Sequence, residues 1–268
     1  MRLLSRLLFV LVVCLVAIAL PAAPAQANGT YITLSPGSGV PGEEVTIRGY
    51  NFTAEEWVDI YYYLNGARER VAEAETDNDG DFLAIFEVPE SYTGDHEVFA
   101  QDEYGRDAYY NFTVKPGLTI DPEEGPVGTT VTVEGHGFAE DEEDIELRYY
   151  LIGDDYETVA GNVEANEDGW WDTSFDIPPS TKGRHQIDAQ GDENELRDVQ
   201  DVIFEVTPEI SIDKSSGSVG ESIMMTGSGF AADERDIKIL FDGEAIVTLI
   251  RADDKGYWEE AFEVPERP

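Results

Sequence analysis

Acidic residues between predicted strands are the side chains of this chain best suited to chemistry, and that chemistry is cation binding. Calcium takes about six to eight oxygen ligands, and crowded carboxylates repel one another unless a cation lies between them. The preferred interpretation is solvated loops screened by salt, and the competing hypothesis is calcium at the poles of the second and third repeats, stiffening the array. The candidate ligands are Glu140, Asp141, Glu142, Asp144, Asp168, Asp192, Glu193, Asp233, Asp236 and Asp253.

Aromatic residues form a second candidate set, this time for binding a ligand. Trp57, Tyr61 and Tyr63 alternate with apolar residues in one predicted strand, and Tyr109 lies on the last strand of the same repeat. An exposed aromatic face would stack on a sugar or dock a neighbouring domain, whereas simple strand propensity with partial burial is the alternative. Two N-glycosylation sequons lie nearby, at Asn51 and Asn111. They matter only if the host glycosylates exported proteins.

One acidic run invites comparison with a calcium-binding EF-hand loop. The run from Asp77 to Asp81 has glycine at the sixth position when the loop starts at Glu75, but the twelfth residue is then Phe86 rather than glutamate. The run and its counterparts in the other repeats are instead predicted to be hairpin turns that use glycine at positive φ. The turn glycines are Gly80, Gly169 and Gly256.

No catalytic machinery is evident in the sequence. It contains no nucleophile elbow, no metal-binding histidine pair and no phosphate loop, so an enzyme is not expected and no cofactor other than calcium is implied. His96 and His185 occupy equivalent positions at the start of a predicted strand, which indicates a strand-end hydrogen bond. His136 has Tyr50 and Ser228 at its equivalent positions, so nothing there requires an imidazole.

The composition and the first residues indicate an exported protein. Residues 1–27 combine Arg2 and Arg6 with an apolar run and an Ala-Gln-Ala ending, which is typical of a cleaved signal peptide. The single cysteine, Cys14, lies inside that run. A net charge of −40 makes nucleic acid and anionic membrane poor partners. The expected location is secreted or cell-surface, with no membrane insertion once the signal peptide is removed.

A repeated pattern positions these residues. Gly42, Gly128 and Gly220 mark three similar segments at intervals of about 90 residues, which is the size of whole domains rather than solenoid repeats. Apolar residues alternate with polar ones, for example from Val58 to Leu64 and from Ile145 to Leu151, as in half-buried strands. About seven such strands per repeat predict an all-β chain of tandem immunoglobulin-like sandwiches.

The opening motif of each repeat carries a family resemblance. The first repeat has Ser35-Pro36, Gly39, Gly42, Val45-Thr46-Ile47, Gly49 and Phe52; the second keeps Pro122, Gly125, Gly128, Val131-Thr132-Val133, Gly135 and Phe138; the third keeps Gly217, Gly220, Gly227 and Phe230 but has Lys214 in place of the proline. This motif resembles the start of IPT/TIG domains, Ig-like modules common in cell-surface proteins. The resemblance implies adhesion, display or spacing rather than a defined reaction.

The predicted organisation is a signal peptide (1–27), two complete Ig-like domains (28–115 and 116–207) and an incomplete third (208–268). The third repeat stops before its last two strands, so we expect either a longer natural chain or strands supplied by another chain. The predicted function is structural and adhesive. A carbohydrate-binding region of a larger secreted enzyme and a filament subunit completed by donor strands are the alternatives. The expected partners are an extracellular protein, a polysaccharide or neighbouring copies of the chain.

Overall fold

The computed structural model describes residues 29–266, and the predicted signal peptide lies outside them. Every regular element in this range is a β-strand, as the alternating pattern predicts. No helix long and apolar enough to cross a membrane occurs among the described residues.

The first unit contains eight strands in two sheets. The strands are β1 (Tyr31–Ser35), β2 (Ser38–Gly39), β3 (Glu44–Tyr50), β4 (Trp57–Leu64), β5 (Ala67–Glu75), β6 (Phe82–Glu87), β7 (Gly94–Asp102) and β8 (Asp107–Val114). One sheet has the order β1-β3-β6 and the other β2-β8-β7-β4-β5. All neighbours are antiparallel except β2 and β8, which pair in parallel. The chain therefore crosses from one sheet to the other between β1 and β2.

The second unit repeats this topology strand for strand. Its strands are β9 (Gly117–Asp121), β10 (Glu124–Gly125), β11 (Thr130–His136), β12 (Ile145–Tyr150), β13 (Tyr156–Val163), β14 (Trp171–Asp176), β15 (Gly183–Gln190) and β16 (Val202–Val206). The sheets have the orders β9-β11-β14 and β10-β16-β15-β12-β13, and β10 again pairs in parallel with β16.

The third unit has fewer strands than the other two. They are β17 (Glu209–Ile212), β18 (Ser222–Ser228), β19 (Ile237–Phe241), β20 (Glu244–Ile250) and β21 (Trp258–Glu263). They form the sheets β17-β18-β21 and β19-β20, and no counterpart of β7 or β8 occurs among the described residues. The fold is thus a tandem array of Ig-like sandwiches, two complete and one incomplete, which confirms the predicted fold class.

Each unit has its own apolar core, built from the inward positions of its strands. The predicted core residues are buried at most positions, including Val45 and Ile47 in the first unit and Leu147 in the second. Tyr110 is an exception, because its ring is exposed although it has the inward phase. Its hydroxyl lies beside Gly37, in the segment where the chain crosses between sheets, so the ring is only partly covered.

The two equivalent histidines have the same structural role in both complete units. His96 stacks on Tyr62 and its ring nitrogens lie 3.3 and 2.7 Å from the carbonyl oxygens of Tyr63 and Tyr92. His185 stacks on Tyr149 in the same way, and its nitrogens also face two backbone carbonyls. This confirms the predicted strand-end hydrogen bond. Burial raises the pKa of Tyr149 to about 12.

Candidate functional sites: acidic poles and an aromatic sheet face

The acidic loops of the second unit meet at one pole of the sandwich, as the topology predicts. The N–H of Asp141, in the loop after β11, donates to the carbonyl of Asn166, in the loop after β13. The N–H of Glu193, in the loop after β15, donates to the side chain of Glu142. Three loops that are distant in sequence are therefore held together at this pole by hydrogen bonds.

The carboxylate of Glu142 is buried and is fully used by protein donors. Its oxygens accept hydrogen bonds from the backbone N–H groups of Ala139, Glu193 and Asn194, at 3.0, 3.0 and 2.8 Å, and from the Asn194 side chain. The Oε1 atom would lie only 2.3 Å from a Cβ added at Gly191. Glu142 therefore ties two loops together, a role that differs from the predicted one of a cation ligand.

The predicted turns with glycine at positive φ are present in all three units, but they are not hairpin turns, because each one connects a strand of one sheet to a strand of the other: β5 to β6, β13 to β14 and β20 to β21. Gly80, Gly169 and Gly256 have φ values of 80°, 76° and 76°. The residue three positions before each glycine accepts hydrogen bonds from the backbone N–H groups two and four residues ahead. This residue is Asp77 in the first unit, Asn166 in the second and Asp253 in the third. Because the amide oxygen of Asn166 takes the place of the aspartate carboxylate in one unit, the position requires a hydrogen-bond acceptor but no negative charge. The role of Asp253 is therefore explained without a cation.

The remaining candidate ligands are dispersed. Asp233 pairs with Arg251, and Asp168 accepts a hydrogen bond from Asn65 of the first unit at 3.2 Å. Asp141, Asp144 and Asp236 occupy left-handed backbone positions, and Glu140, Asp192 and Glu193 are exposed. Among residues 29–266 no three His, Cys, Asp or Glu side chains are arranged to hold a metal ion. The ten predicted ligands thus form no ready-made site, because several already bind protein groups, and calcium binding stays a prediction.

A capping carboxylate recurs at this pole in every unit, although its source differs. In the third unit Glu234 accepts a hydrogen bond from the N–H of Ala231, as Glu142 does from that of Ala139. In the first unit Asp102, at the end of β7, binds the equivalent N–H of Thr53. Burial alone would raise the pKa of Asp102, but the hydrogen bonds from Thr53, Arg106 and Tyr104 outweigh burial and the pKa is lowered.

The acidic pole of each following unit contacts the unit before it through the same hydrogen bond. The N–H of Thr93 donates to the carbonyl of Phe138 at 2.8 Å, and the N–H of Lys182 donates to that of Phe230 at 3.1 Å. Thr93 and Lys182 each precede the glycine that begins the equivalent strand, β7 or β15. The two junctions are therefore built in the same way.

The ionisable contacts differ between the two junctions: the second has Lys182–Glu234 and Lys255–Glu157 ion pairs, at 3.4 and 3.3 Å, and the first has a histidine contact. His136 Nδ1 lies 2.8 Å from the carboxylate of Glu90 in the first unit, whereas Ser228 holds the histidine position in the third unit. The hydrogen bond and charge of Glu90 raise the pKa of His136 despite its burial. The contact therefore stabilises the first junction. This stabilisation is fully present below the pKa of an unfolded histidine, about 6.5, and is lost as the pH rises through the raised pKa of His136 in the folded protein. The sequence indicated no role for this imidazole, because its partner belongs to another unit.

The predicted aromatic residues lie on the outer face of the five-stranded sheet of the first unit. Tyr61 on β4 is directly opposite Phe99 on β7, which is directly opposite Tyr109 on β8. Trp57 is exposed on the same strand as Tyr61, and Tyr109 is 68% exposed. The edge of Tyr63 contacts Phe99, with ring centroids 6.3 Å apart. We call these five residues the aromatic face.

Charged side chains border the aromatic face on β5. The guanidinium of Arg68 lies 4.7 Å from the ring centroid of Tyr61, and Arg70 pairs with Asp59 at 2.8 Å. Sequence reasoning missed Phe99, although its position between Val98 and Ala100, which are buried, is the alternation that could have identified it. The face combines exposed rings with hydrogen-bonding groups along its edge.

In the second unit charged residues occupy the positions that correspond to Tyr61, Phe99 and Tyr109 of the first. Arg148 is opposite Asp188 where the first unit has Tyr61 opposite Phe99. Asp201, next to Asp188, holds the position of Tyr109, and burial together with the Asp201 charge raises the pKa of Asp188. Since the two units share one topology, the sheet itself does not require the aromatic residues.

The two sequons differ in their surroundings. Asn111 is exposed on β8, on the outer face and opposite Glu97. Asn51 has a left-handed backbone with φ of 61°, and its side-chain nitrogen donates to the carbonyl of Gly29 at 3.1 Å. A glycan at Asn51 would be attached to the nitrogen that donates this hydrogen bond, whereas one at Asn111 would stand beside the aromatic face. Glycosylation at both positions stays a prediction.

The sheets define an all-β protein of tandem Ig-like sandwiches. No protein-family model matches the chain, and no curated protein matches it. It is similar to the tetra-tandem repeat in the extending region of a large adhesion protein, with 14% identity over 90% of this chain and 66% of that one and a TM-score of 0.31.

Two further solved structures are similar at the same level. The N-terminal eight Ig domains of Down Syndrome Cell Adhesion Molecule match with 13% identity over 90% of this chain and 39% of that one, with a TM-score of 0.25. The second is the SGBP-B protein of the Bacteroides ovatus mixed-linkage glucan utilization locus, in complex with a mixed-linkage heptasaccharide. It matches with 12% identity over 86% of this chain and 65% of that one, with a TM-score of 0.30. The chain spans less than two thirds of each of these structures.

Proposed function

We propose that this protein is a secreted or cell-surface array, structural and adhesive rather than catalytic, whose Ig-like domains at 28–115, 116–207 and 208–268 hold a binding surface away from the cell. The observation that carries the proposal is the repeated junction, in which Thr93 and Lys182 make the same hydrogen bond to the following unit. A junction that is built twice in the same way gives an array a defined direction, which is what a spacer requires.

Sequence features support an extracellular location for this array. Residues 1–27 have the pattern of a secretory signal, and the net charge of −40 favours solubility over binding to nucleic acid. The opening motif shared by the repeats supports an IPT/TIG-like origin for the domains.

Small-angle X-ray scattering of the chain without residues 1–27 tests the spacer role. A compact domain of this length has a radius of gyration of about 18 Å, and units joined pole to pole give a value well above it. The same measurement in high salt is the control, because screening would collapse an array held open only by charge repulsion. A radius near 18 Å in either buffer would contradict the proposal.

Carbohydrate binding by the aromatic face is a second candidate function, favoured by the row formed by Tyr61, Phe99 and Tyr109, whose positions in the second unit hold the charged residues Arg148, Asp188 and Asp201. Flat exposed rings stack on sugar rings, and a strongly acidic surface favours a neutral polysaccharide over an anionic one. Trp57 and Tyr109 are the rings to replace because both are exposed, so their loss leaves the core unchanged.

We expect Trp57→Ala and Tyr109→Ala each to weaken polysaccharide binding by about tenfold, which corresponds to ~1.4 kcal/mol of binding free energy. Affinity electrophoresis in gels containing neutral polysaccharides, or a glycan array, measures this change. Tyr104→Ala is the matched control, because Tyr104 is as exposed as Tyr109 but lies in the loop between β7 and β8. Equal retention of all three variants and the unchanged protein would exclude the face as a sugar site.

A further inference from the structure

The last strand of the first unit has a free edge along most of its length. This strand, β8 (Asp107–Val114), pairs with β2 only through its last two residues. In an antiparallel pair the backbone groups of alternate residues point away from the neighbouring strand. The N–H of Thr113 points away from β7, because it donates to the carbonyl of Gly37 at 3.2 Å. The N–H groups of Tyr109 and Asn111 therefore point to the same side, where no described residue pairs with them.

The second unit covers the equivalent edge with its own chain. Gln200 lies just before β16, and its N–H donates to the carbonyl of Pro116 at 2.9 Å, while its carbonyl accepts from the N–H of Leu118 at 3.1 Å. Gly117 lies between these two residues. The first unit has Tyr31 at the position of Gly117, and the described start of that unit makes no such bond to β8. The edge is therefore free in the first unit and occupied in the second.

The sequence of β8 lacks the features that usually protect an exposed sheet edge, which are charged residues, proline and irregular pairing. The opposite edge of the same sheet, β5, has five charged residues among its nine, and its pairing with β4 is irregular between Ile60 and Tyr61. In contrast, β8 has one charged residue, Asp107, and pairs regularly with β7. Tyr109 on its outer side and Tyr110 on its inner side are 68% and 39% exposed. An added strand would cover both rings.

The charges around this edge indicate which kind of strand fits it. Together β7 and β8 contain four acidic residues and neither lysine nor arginine. Asp95 and Glu97 lie on the outer face, directly opposite Thr113 and Asn111. A second copy of the chain, with its net charge of −40, would bring the same negative charges to the edge and be repelled. A positively charged segment is complementary to it.

We propose that the free part of β8 is a docking edge that adds one extended strand of a cationic protein partner. The added strand carries basic side chains on its outer side, near Glu97 and Asp107, and aliphatic side chains on its inner side, near Tyr110. Main-chain pairing provides affinity, and the alternating side chains provide specificity. This inference depends neither on the spacer role nor on carbohydrate binding.

Exchange of single amide groups, followed by NMR, tests the proposal in the chain without residues 1–27, produced without glycosylation. The probe is a short synthetic peptide in which lysine and valine alternate. We expect saturable binding with one peptide per chain and slower exchange of the Tyr109 and Asn111 N–H groups in the complex. The N–H of Thr113 is the internal reference, because its bond to Gly37 already protects it. Unchanged exchange at Tyr109 and Asn111 in the complex would overturn the proposal.

Two control peptides separate strand addition from general attraction to an acidic protein. The first is the same peptide with a methyl group on every backbone nitrogen, so it keeps its charges and side chains but has no N–H groups to pair. The second alternates glutamate and valine, so its backbone can pair but its charge is wrong. Both should bind at least tenfold more weakly than the probe. Equal binding of the methylated peptide would show that charge alone attracts it, which contradicts strand addition.

Asn111→Pro is the variant that locates the docking edge. Proline removes one of the outward N–H groups and is tolerated on an edge strand where that group faces solvent, so we expect at least tenfold weaker peptide binding. Asn111→Ala is the matched control, because it removes the same side chain and keeps the N–H, and it should bind as the unchanged protein does. Equal affinities of the two variants would refute β8 as the edge. Protection of Tyr109 that rises with protein concentration in the absence of peptide would identify a second copy as the occupant and also overturn the proposal.

Discussion

Replacement of Glu142 by alanine is expected to lower the free energy of unfolding of the second unit by about 3 kcal/mol or more. The change leaves the N–H groups of Ala139, Glu193 and Asn194 without their acceptor at a buried site, and hydrogen bonds to a charged group contribute about 1.5–3 kcal/mol each. Amide exchange in β11 and β12 reports the stability of this unit alone. The loss is expected even though the change removes a negative charge from a chain of net charge −40.

Glu143→Ala is the control for charge. Glu143 is exposed next to Glu142, so its replacement removes the same charge without removing a buried acceptor, and stability should change by no more than about 0.5 kcal/mol. The pair of variants also addresses calcium, because a structural carboxylate stabilises the unit in chelator as well as in millimolar calcium. A cost that appeared only with calcium present would show that Glu142 is a ligand after all.

Replacement of Gly135 by alanine is expected to cost the second unit about 1–3 kcal/mol. Gly135 on β11 pairs directly with Trp171 on β14, and an added Cβ would lie 2.0 Å from Cε2 of the indole. Because Trp171 is buried, the ring cannot move aside without disturbing the core. Gly49 and Gly227 have the same relation to Phe82 and Trp258, which explains why this glycine recurs in the motif.

Gly161→Ala makes the same chemical change where there is space. Nothing lies within 4 Å of a Cβ added at Gly161 on β13, so alanine should leave the stability of the unit unchanged or raise it by up to about 1 kcal/mol. Urea unfolding measures the stability of both variants, and amide exchange in the second unit shows whether the change in stability belongs to that unit. Equal stabilities would refute steric exclusion as the reason for the glycine motif.

The sequence predicted those features that depend on local periodicity. The alternation from Val58 to Leu64 identified a strand and its buried face, and Gly80 identified a tight turn, although this turn connects the two sheets and does not close a hairpin. These predictions hold because side-chain direction in a strand and φ in a tight turn are decided by near neighbours.

Features that depend on contacts between distant residues could not be predicted in this way. Glu142 was assigned to a cation because its actual donors, at Glu193 and Asn194, lie in another loop about 50 residues along the chain. His136 contacts Glu90 of the preceding unit, and Phe99 lies opposite Tyr61 because of the register between β4 and β7. The order of apolar and polar residues along the chain specifies neither the register between paired strands nor the contacts between neighbouring units.

The parallel pairing of β2 with β8, and of β10 with β16, has a mechanical consequence. Each pair joins a strand near the start of its unit to the strand at its end, so tension along the chain pulls the two strands in opposite directions along their length. The hydrogen bonds from Lys115 to Gly39 and from Thr207 to Gly125, both 2.9 Å long, are then loaded in shear together rather than opened one after another. Under traction the first two units resist extension through these hydrogen bonds.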